Sequence, residues 1–167
     1  MAQRIIPYSI GCEPSPSVPA ETLLQDGWSA FLLFFAVSQT ASSSGYLEDL
    51  GVAVLECIGC VATKFGYPND EGLSEHPLYT QGLSSSASSV VEVADSQWVK
   101  EVENQMYEST KRIRGSFAAK SSNTLRHFVI CLKELTFECI ANELSVAQYA
   151  QDFPTALSYV QTRFSEH

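Results

Sequence analysis

The run RHFVICLKELTFECIANEL, residues 126–144, leaves this chain little conformational choice. His127 to Leu132 and Leu135 to Ile140 are both rich in β-branched and aromatic side chains. Only Lys133 and Glu134 separate them. Two such runs joined by so short a link fold back as an antiparallel hairpin. Lys-Glu is a poor type I′ pair, because neither residue favours positive φ, so a longer loop is also compatible with this spacing. A chain that contains this hairpin must bury at least one of its faces.

The flanking segments supply what can cover it. Phe31 to Val37 is short, aromatic and followed by the polar QTASSSG, and reads as a buried strand. Val52 to Phe65 is a second apolar run. Its valines and the flanking Gly51 and Gly66 favour a strand, with Gly59 marking a bulge or a close backbone approach. Periodicity alone leaves a helix open there. Glu21 to Trp28 reads as an amphipathic stretch and residues 46–50 as a helical turn. Val90 to Ala94 is a short strand. Asp95 or Ser96 then caps a helix whose stripe is Trp98, Val102 and Met106, fading by about Thr110. Ser145 and Gln148 fit a capping box, with Leu144 and Tyr149 as its staple. Asp152 caps a last helix with Pro154 in its first turn. Residues 65–83 read as a long loop, Ser84 to Ser89 as a linker-like tip, and 111–126 as loop. Strands and helices do not alternate, so the expected class is α+β. It has an antiparallel or mixed sheet with a central hairpin and helices packed on one face. Pro7, Pro14, Pro16 and Pro19 make residues 1–20 an irregular arm, ahead of a single domain over 21–167.

With 45% apolar residues the 167-residue chain can build a core without staples. Five cysteines and no signal-like N-terminus point to reduced thiols in a cytoplasmic protein. No apolar run approaches the ~20 residues of a membrane span. The net charge of −9 argues against nucleic acid and anionic membranes, whose phosphates repel such a surface. The charge is uneven. Asp70, Glu71, Glu75, Glu92, Asp95, Glu101, Glu103 and Glu108 fall in one stretch with Lys100 as its only base. Residues 111–133 then carry six bases and no acid. Two polar surfaces that pair in space explain this pattern. So does an acidic face for a basic protein partner.

Three features can carry chemistry. The loop GYPNDEGLSEHPLY offers Tyr67, Asn69, Asp70, Glu71, Glu75, His76 and Tyr79 as a binding surface. Carboxylates beside a histidine suit acid–base work, so Asp70, Glu71 and His76 are the catalytic candidates if the protein is an enzyme. The loop lacks the ligand spacing and glycine of a calcium loop, and Tyr-Pro-Asn-Asp is a good turn in its own right. His127 opens the hairpin and faces Glu138, as a general base, a ligand or a strand-edge histidine. Cys57 and Cys60 have C-x-x-C spacing. Zinc would need a second ligand pair, and thiol redox chemistry a strand-to-helix junction. The sequence provides neither at the required spacing, which leaves two small buried apolar side chains as the plain reading, with no metal and no cofactor. No GxSxG, HExxH or phosphate-cradling glycine loop is present.

The segments FGYPNDE (Phe65 to Glu71), HPLY (His76 to Tyr79), Ser96 with Trp98, RHF (Arg126 to Phe128) and TFECIA (Thr136 to Ala141) resemble the shared pattern of a family of small bacterial proteins without an assigned function. The resemblance covers about half the chain and implies one domain with a central hairpin. The family pattern places a His-Asp-Ser turn between the RHF and TFEC strands. Here Lys133-Glu134-Leu135 stands instead, so if that turn is catalytic in the family this member is compromised. Size, acidity and missing motifs favour a non-catalytic, immunity-like interaction protein with an acidic face. A small hydrolase-like enzyme using Asp70, Glu71, His76 and His127 is the alternative, and it requires those four to converge on one concave pocket.

Overall fold

Strand periodicity decides the architecture, and it builds two sheets where one was expected. The computed structural model describes residues 2–114 and 124–166. In chain order the strands are β1 (Arg4–Pro7), β2 (Glu13–Pro14), β3 (Thr22–Gln25), β4 (Ala30–Val37), β5 (Asp49–Ile58), β6 (Ala62–Gly66) and β7 (Val90–Ala94). Helix α1 (Gln97–Arg114) follows, then β8 (Arg126–Cys131), β9 (Thr136–Ala141), β10 (Glu143–Ala150) and helix α2 (Phe153–Phe164). The first sheet has the order β1-β7-β8-β9-β6. The second has the order β10-β5-β4-β2, with β3 also paired to β4. Every pairing is antiparallel. The α+β class with antiparallel sheets therefore holds.

The two sheets face each other. Leu32, Phe34 and Leu55 from the second sheet share one core with Phe128, Ile130 and Phe137 from the first. The outer face of the second sheet, including Phe31, Leu33, Val52 and Val54, is covered by Ala156 and Val160 of α2. The outer face of the first, including Val91, Val93 and Val129, is covered by Leu78 and Leu83 of the long loop. Strands β4 and β5 are thus buried on both sides, which explains why they read as continuous apolar runs and not as alternating ones. The helices do not share a face: α2 packs on the second sheet, and Trp98 of α1 packs on His127 of the first.

The central hairpin forms as expected. Strands β8 and β9 pair from Arg126↔Ala141 to Cys131↔Thr136. The Leu132 N–H still reaches the Leu135 carbonyl at 3.0 Å, so the chain reverses over Lys133 and Glu134. Neither residue takes positive φ, so the turn is not type I′. The Glu21 carboxylate accepts both turn amides, Lys133 N–H at 2.9 Å and Glu134 N–H at 3.3 Å, which holds an otherwise unfavourable link.

Several expectations are corrected. Residues 143–150 form strand β10 against β5, not a capped helix. Val52 to Phe65 is two strands in different sheets, divided at Gly59, whose φ of +65° turns the chain. Glu21 to Trp28 contains strand β3, and the expected helical turn at 46–50 gives way to the start of β5. The N-terminal arm is not irregular throughout: β1 and β2 are edge strands, with Pro7 and Pro14 at their ends, where a missing N–H costs no ladder bond. Helix α1 extends past Thr110 to Arg114. The serine tip is fastened, with Ser88 Oγ–H and Ser89 N–H donating to Glu13 at 2.8 and 3.0 Å. The expected loop at 111–126 falls largely outside the described residues. Among the described residues no helix is long and apolar enough to cross a membrane.

Candidate functional site

The hairpin's two-residue period sorts its side chains. Phe128, Ile130, Phe137 and Cys139 point into the core between the sheets. His127, Val129 and Glu138 point to the outer face. Val129 stands opposite Glu138, which makes His127 a diagonal neighbour of the carboxylate. On its other side Glu138 is opposite Lys64 of β6. Three polar residues therefore occupy outward positions of otherwise apolar strands, and two further segments close over them.

The long loop brings His76, held at the end of a 3-10 turn over Leu73–Glu75. The position just before helix α1 brings Ser96, and the helix itself brings Trp98 two residues on. Glu138 is bound on both oxygens: Oε1 lies 3.2 Å from His76 Nε2, and Oε2 lies 2.8 Å from His127 Nε2. The other nitrogen of His127, Nδ1, lies 2.9 Å from Ser96 Oγ. The other nitrogen of His76 accepts the Leu78 N–H at 3.1 Å. Trp98 meets the His127 ring edge to face at 5.1 Å, and the Lys64 ammonium sits 3.9 Å above the Trp98 ring. His76, Ser96 and His127 are all buried, at 5%, 4% and 3% exposure. A cleft of about 210 Å³ opens beside the two histidines, with Gln3, Lys64, His76, Trp98, His127 and Glu138 in its walls; Ser96 lies behind His127 and does not line it.

Proton positions follow from the partners. Burial is the largest influence on Glu138 and opposes its ionisation, but hydrogen bonds from His127 and His76, with the Lys64 charge, outweigh it and bring the carboxyl down to about 2. An ionised Glu138 only accepts, so both imidazoles donate through Nε2. His76 then accepts the Leu78 amide at Nδ1. In a neutral His127 ring Nδ1 is the acceptor, and the Ser96 hydroxyl is its donor. The same hydroxyl accepts the Val99 N–H at 3.3 Å, as a helix cap does. The order of the chain is thus Ser96 O–H to His127, and His127 N–H to Glu138. The serine hydrolase relay has this order too, with the two ring nitrogens exchanged.

The turn that presents Ser96 is unusual. Asp95 joins β7 to α1 with φ of +58°, a left-handed conformation that non-glycine residues rarely take. It makes the strand-to-helix reversal sharp enough to set Ser96 over the hairpin. The Gln97 N–H, beside Ser96 at the helix start, donates to the Gln3 side-chain oxygen at 2.7 Å. A carbonyl oxygen is therefore already held at the first turn of an 18-residue helix, where the backbone dipole favours negative charge.

The residues singled out from sequence divide into two groups. His76 and His127 come together across Glu138. Asp70 and Glu71 do not join them: Asp70 is exposed and ion-paired to Lys133 at 2.7 Å beside the hairpin turn, and Glu71 is exposed. Lys133 holds the Asp70 carboxyl below its usual range. Tyr67 is exposed, and Asn69 closes the turn by accepting the Gly72 N–H at 2.9 Å. Glu75 is exposed and Tyr79 half-buried. Sequence reasoning pairs His127 with Glu138 but gives Ser96 only a cap. The outward-facing polar triplet of Lys64, His127 and Glu138 was the readable signal of a site. Cys57 lies on β5 and Cys60 in the turn to β6, with Cys57 buried and Cys60 half-buried. Among the described residues no group of three His, Cys, Asp or Glu side chains is arranged to hold a metal ion. No family model, curated protein or solved structure matches this chain.

Proposed function

We propose that the protein is a small acyl-transfer hydrolase acting on an ester or amide, with Ser96 as nucleophile and His127 as general base. The observation that carries this reading is the unbroken chain Ser96–His127–Glu138 at a strained strand-to-helix turn, with a cleft against its His127 and Glu138 end. Ser96 Oγ adds to the substrate carbonyl as its proton passes to His127 Nδ1. Glu138 stabilises the imidazolium through Nε2–H, and His76 fixes the second carboxylate oxygen, so both act by positioning. The Gln97 N–H donates to the developing oxyanion once the Gln3 side chain gives way. His127 returns the proton to the leaving group, and water removes the acyl group by the same route. Support also comes from the segments of the family-like pattern, which supply His76, Ser96 with Trp98, His127 and Glu138. The acidic-face reading has less behind it. Asp70, Glu92 and Asp95 are paired with Lys133, Arg126 and Arg4, which leaves Glu71 and Glu75 of the loop apart from Glu101, Glu103 and Glu108 of α1 as the exposed acids.

The test uses a fluorophosphonate on the full chain, followed by peptide mass mapping. An adduct on Ser96 is expected, together with release of nitrophenol from p-nitrophenyl acetate. Glu138→Gln should slow both by at least about tenfold, with the folded state verified by circular dichroism. If folded protein carries no label on Ser96, or labels at an unchanged rate in Glu138→Gln, Ser96 is a helix cap and nothing more.

A further inference from the structure

Helix α1 leaves the body as it runs. None of its residues from Gln97 to Ile113 is buried. Trp98, Val102, Met106, Ser109 and Ile113 follow one another at helical spacing and share one face. The start of that face is used: Trp98 packs on His127, and Val102 is half-buried. Its end is not, with Met106 41% exposed and Ile113 83%. Val102 and Met106 line a groove of about 560 Å³, and Val61, itself 42% exposed, stands in the same walls. A helix in water draws most of its stability from packing an apolar face, and over its second half α1 holds that face open.

The charges of α1 are equally unused. Glu101, Glu103 and Glu108 precede Lys111 and Arg112, and all five are exposed. Among the described residues none of the five is in an ion pair, whereas Arg4, Arg126, Lys133 and Arg163 all are. Arg112, one turn after Glu108, sends its Nε–H to the Glu108 backbone carbonyl at 3.4 Å and not to the carboxylate. With Lys100 as the one base ahead of them, acids run along most of the helix and bases gather near its end. A helix of that polarity complements a second copy of itself laid antiparallel. With Met106 at a two-fold axis, Glu101 of one copy comes level with Lys111 of the other, and Val99 with Ile113. A parallel pair would set acids against acids.

We propose that α1 is the contact through which two copies of this chain pair, antiparallel about a two-fold axis near Met106. Each contact then occurs twice, as the symmetry requires. The face is small, so pairing falls on the order of 10 µM and the chain is a monomer when dilute. The contact uses neither Ser96 nor His127 nor Glu138 and does not depend on the hydrolase reading.

Sedimentation velocity on the full chain, from about 1 to about 200 µM, reads the pairing as a rise from 18.3 kDa towards twice that mass. Met106→Gln with Ile113→Gln changes two exposed side chains, so the fold is kept, and should weaken pairing at least about tenfold. Two charge reversals test the orientation, each checked for helix content by circular dichroism. One carries Glu101→Lys, Glu103→Lys and Glu108→Lys, the other Lys111→Glu and Arg112→Glu. Each alone should pair at least about tenfold more weakly than the parent, and their equimolar mixture should regain the parent's strength. A parent that stays monomeric at the highest concentration would show that the face meets something other than a second copy. Pairing untouched by the glutamine substitutions would place the contact elsewhere. A charge reversal that pairs alone as the parent does, or a mixture that stays monomeric, would overturn the antiparallel arrangement.

Discussion

Glu138 shows how much one side chain is asked to hold. Its side chain is 12% exposed, and both oxygens are taken up by buried imidazoles. A carboxyl that moves from an unfolded value of 4.5 to about 2 on folding binds its proton more weakly in the native state. Its contribution is therefore fully present above the unfolded value and is lost as pH falls from 4.5 towards 2. The size is on the order of 3 kcal/mol at neutral pH. Urea unfolding of the parent chain between pH 5 and pH 2.5 should show this loss, and Glu138→Gln should remove that share of the pH dependence. Equal slopes for the two proteins would mean that the histidines do not hold the charge. At this scale the sequence was half legible. Glu138 and His127 follow from counting positions along two strands. His76 is singled out with its loop, but its meeting with Glu138 across 62 residues of chain is not, and Ser96 reads only as a cap because it reaches His127 across 31 residues, which no local pattern encodes.

Elements were legible where an apolar run is unbroken, as in β4 and the hairpin, and misread where a bulge or a change of sheet intervenes. Strand β10 carries a register shift between Val146 and Gln148, which breaks its alternation and leaves Ser145 and Gln148 at the spacing of a helix cap. The pairing with β5 overrides that local signal. Asp152, by contrast, caps α2 as the sequence says, accepting the Thr155 N–H at 2.8 Å, because nothing competes for it. The β5–β10 pair also contains the most demanding glycine. Gly51 has φ of +82°, and a Cβ there would overlap the Ala150 carbonyl. Gly51→Ala meets two obstacles at once, a disfavoured backbone and a backbone atom that cannot step aside. The expected cost is about 2 kcal/mol or more, read as a lower urea midpoint with an unchanged slope. A substitution that leaves the midpoint in place would show that β5 can shift its register here.

At the scale of the whole molecule the N-terminal arm is what joins the two sheets along one side. Strand β1 extends the first sheet beyond β7, and a few residues later β2 pairs with β4 in the second. Between them the Tyr8 ring packs tilted against Phe128, centroids 4.9 Å apart, and Cys12 is fully buried in the shared core. Farther along, Glu13 fastens the serine tip and Glu21 the hairpin turn. Composition hid this role, since four prolines read as irregular chain, yet a strand of two to four residues at an edge needs few ladder bonds and tolerates proline at its end. The same crossing explains part of the uneven charge: Arg4 meets Asp95, while Arg126 and Lys133 of the basic stretch meet Glu92 and Asp70 of the acidic one. Removing residues 2–14 would uncover β7, leave the end of β4 without β2, open the shared core at Cys12 and take Gln3 from the cleft. Exposed strand edges template pairing with other chains, so the truncated protein should unfold at lower urea and elute from size exclusion as larger species. If it instead stays monomeric with an unchanged midpoint, the two sheets close on each other without the arm, and the core between them alone carries the fold.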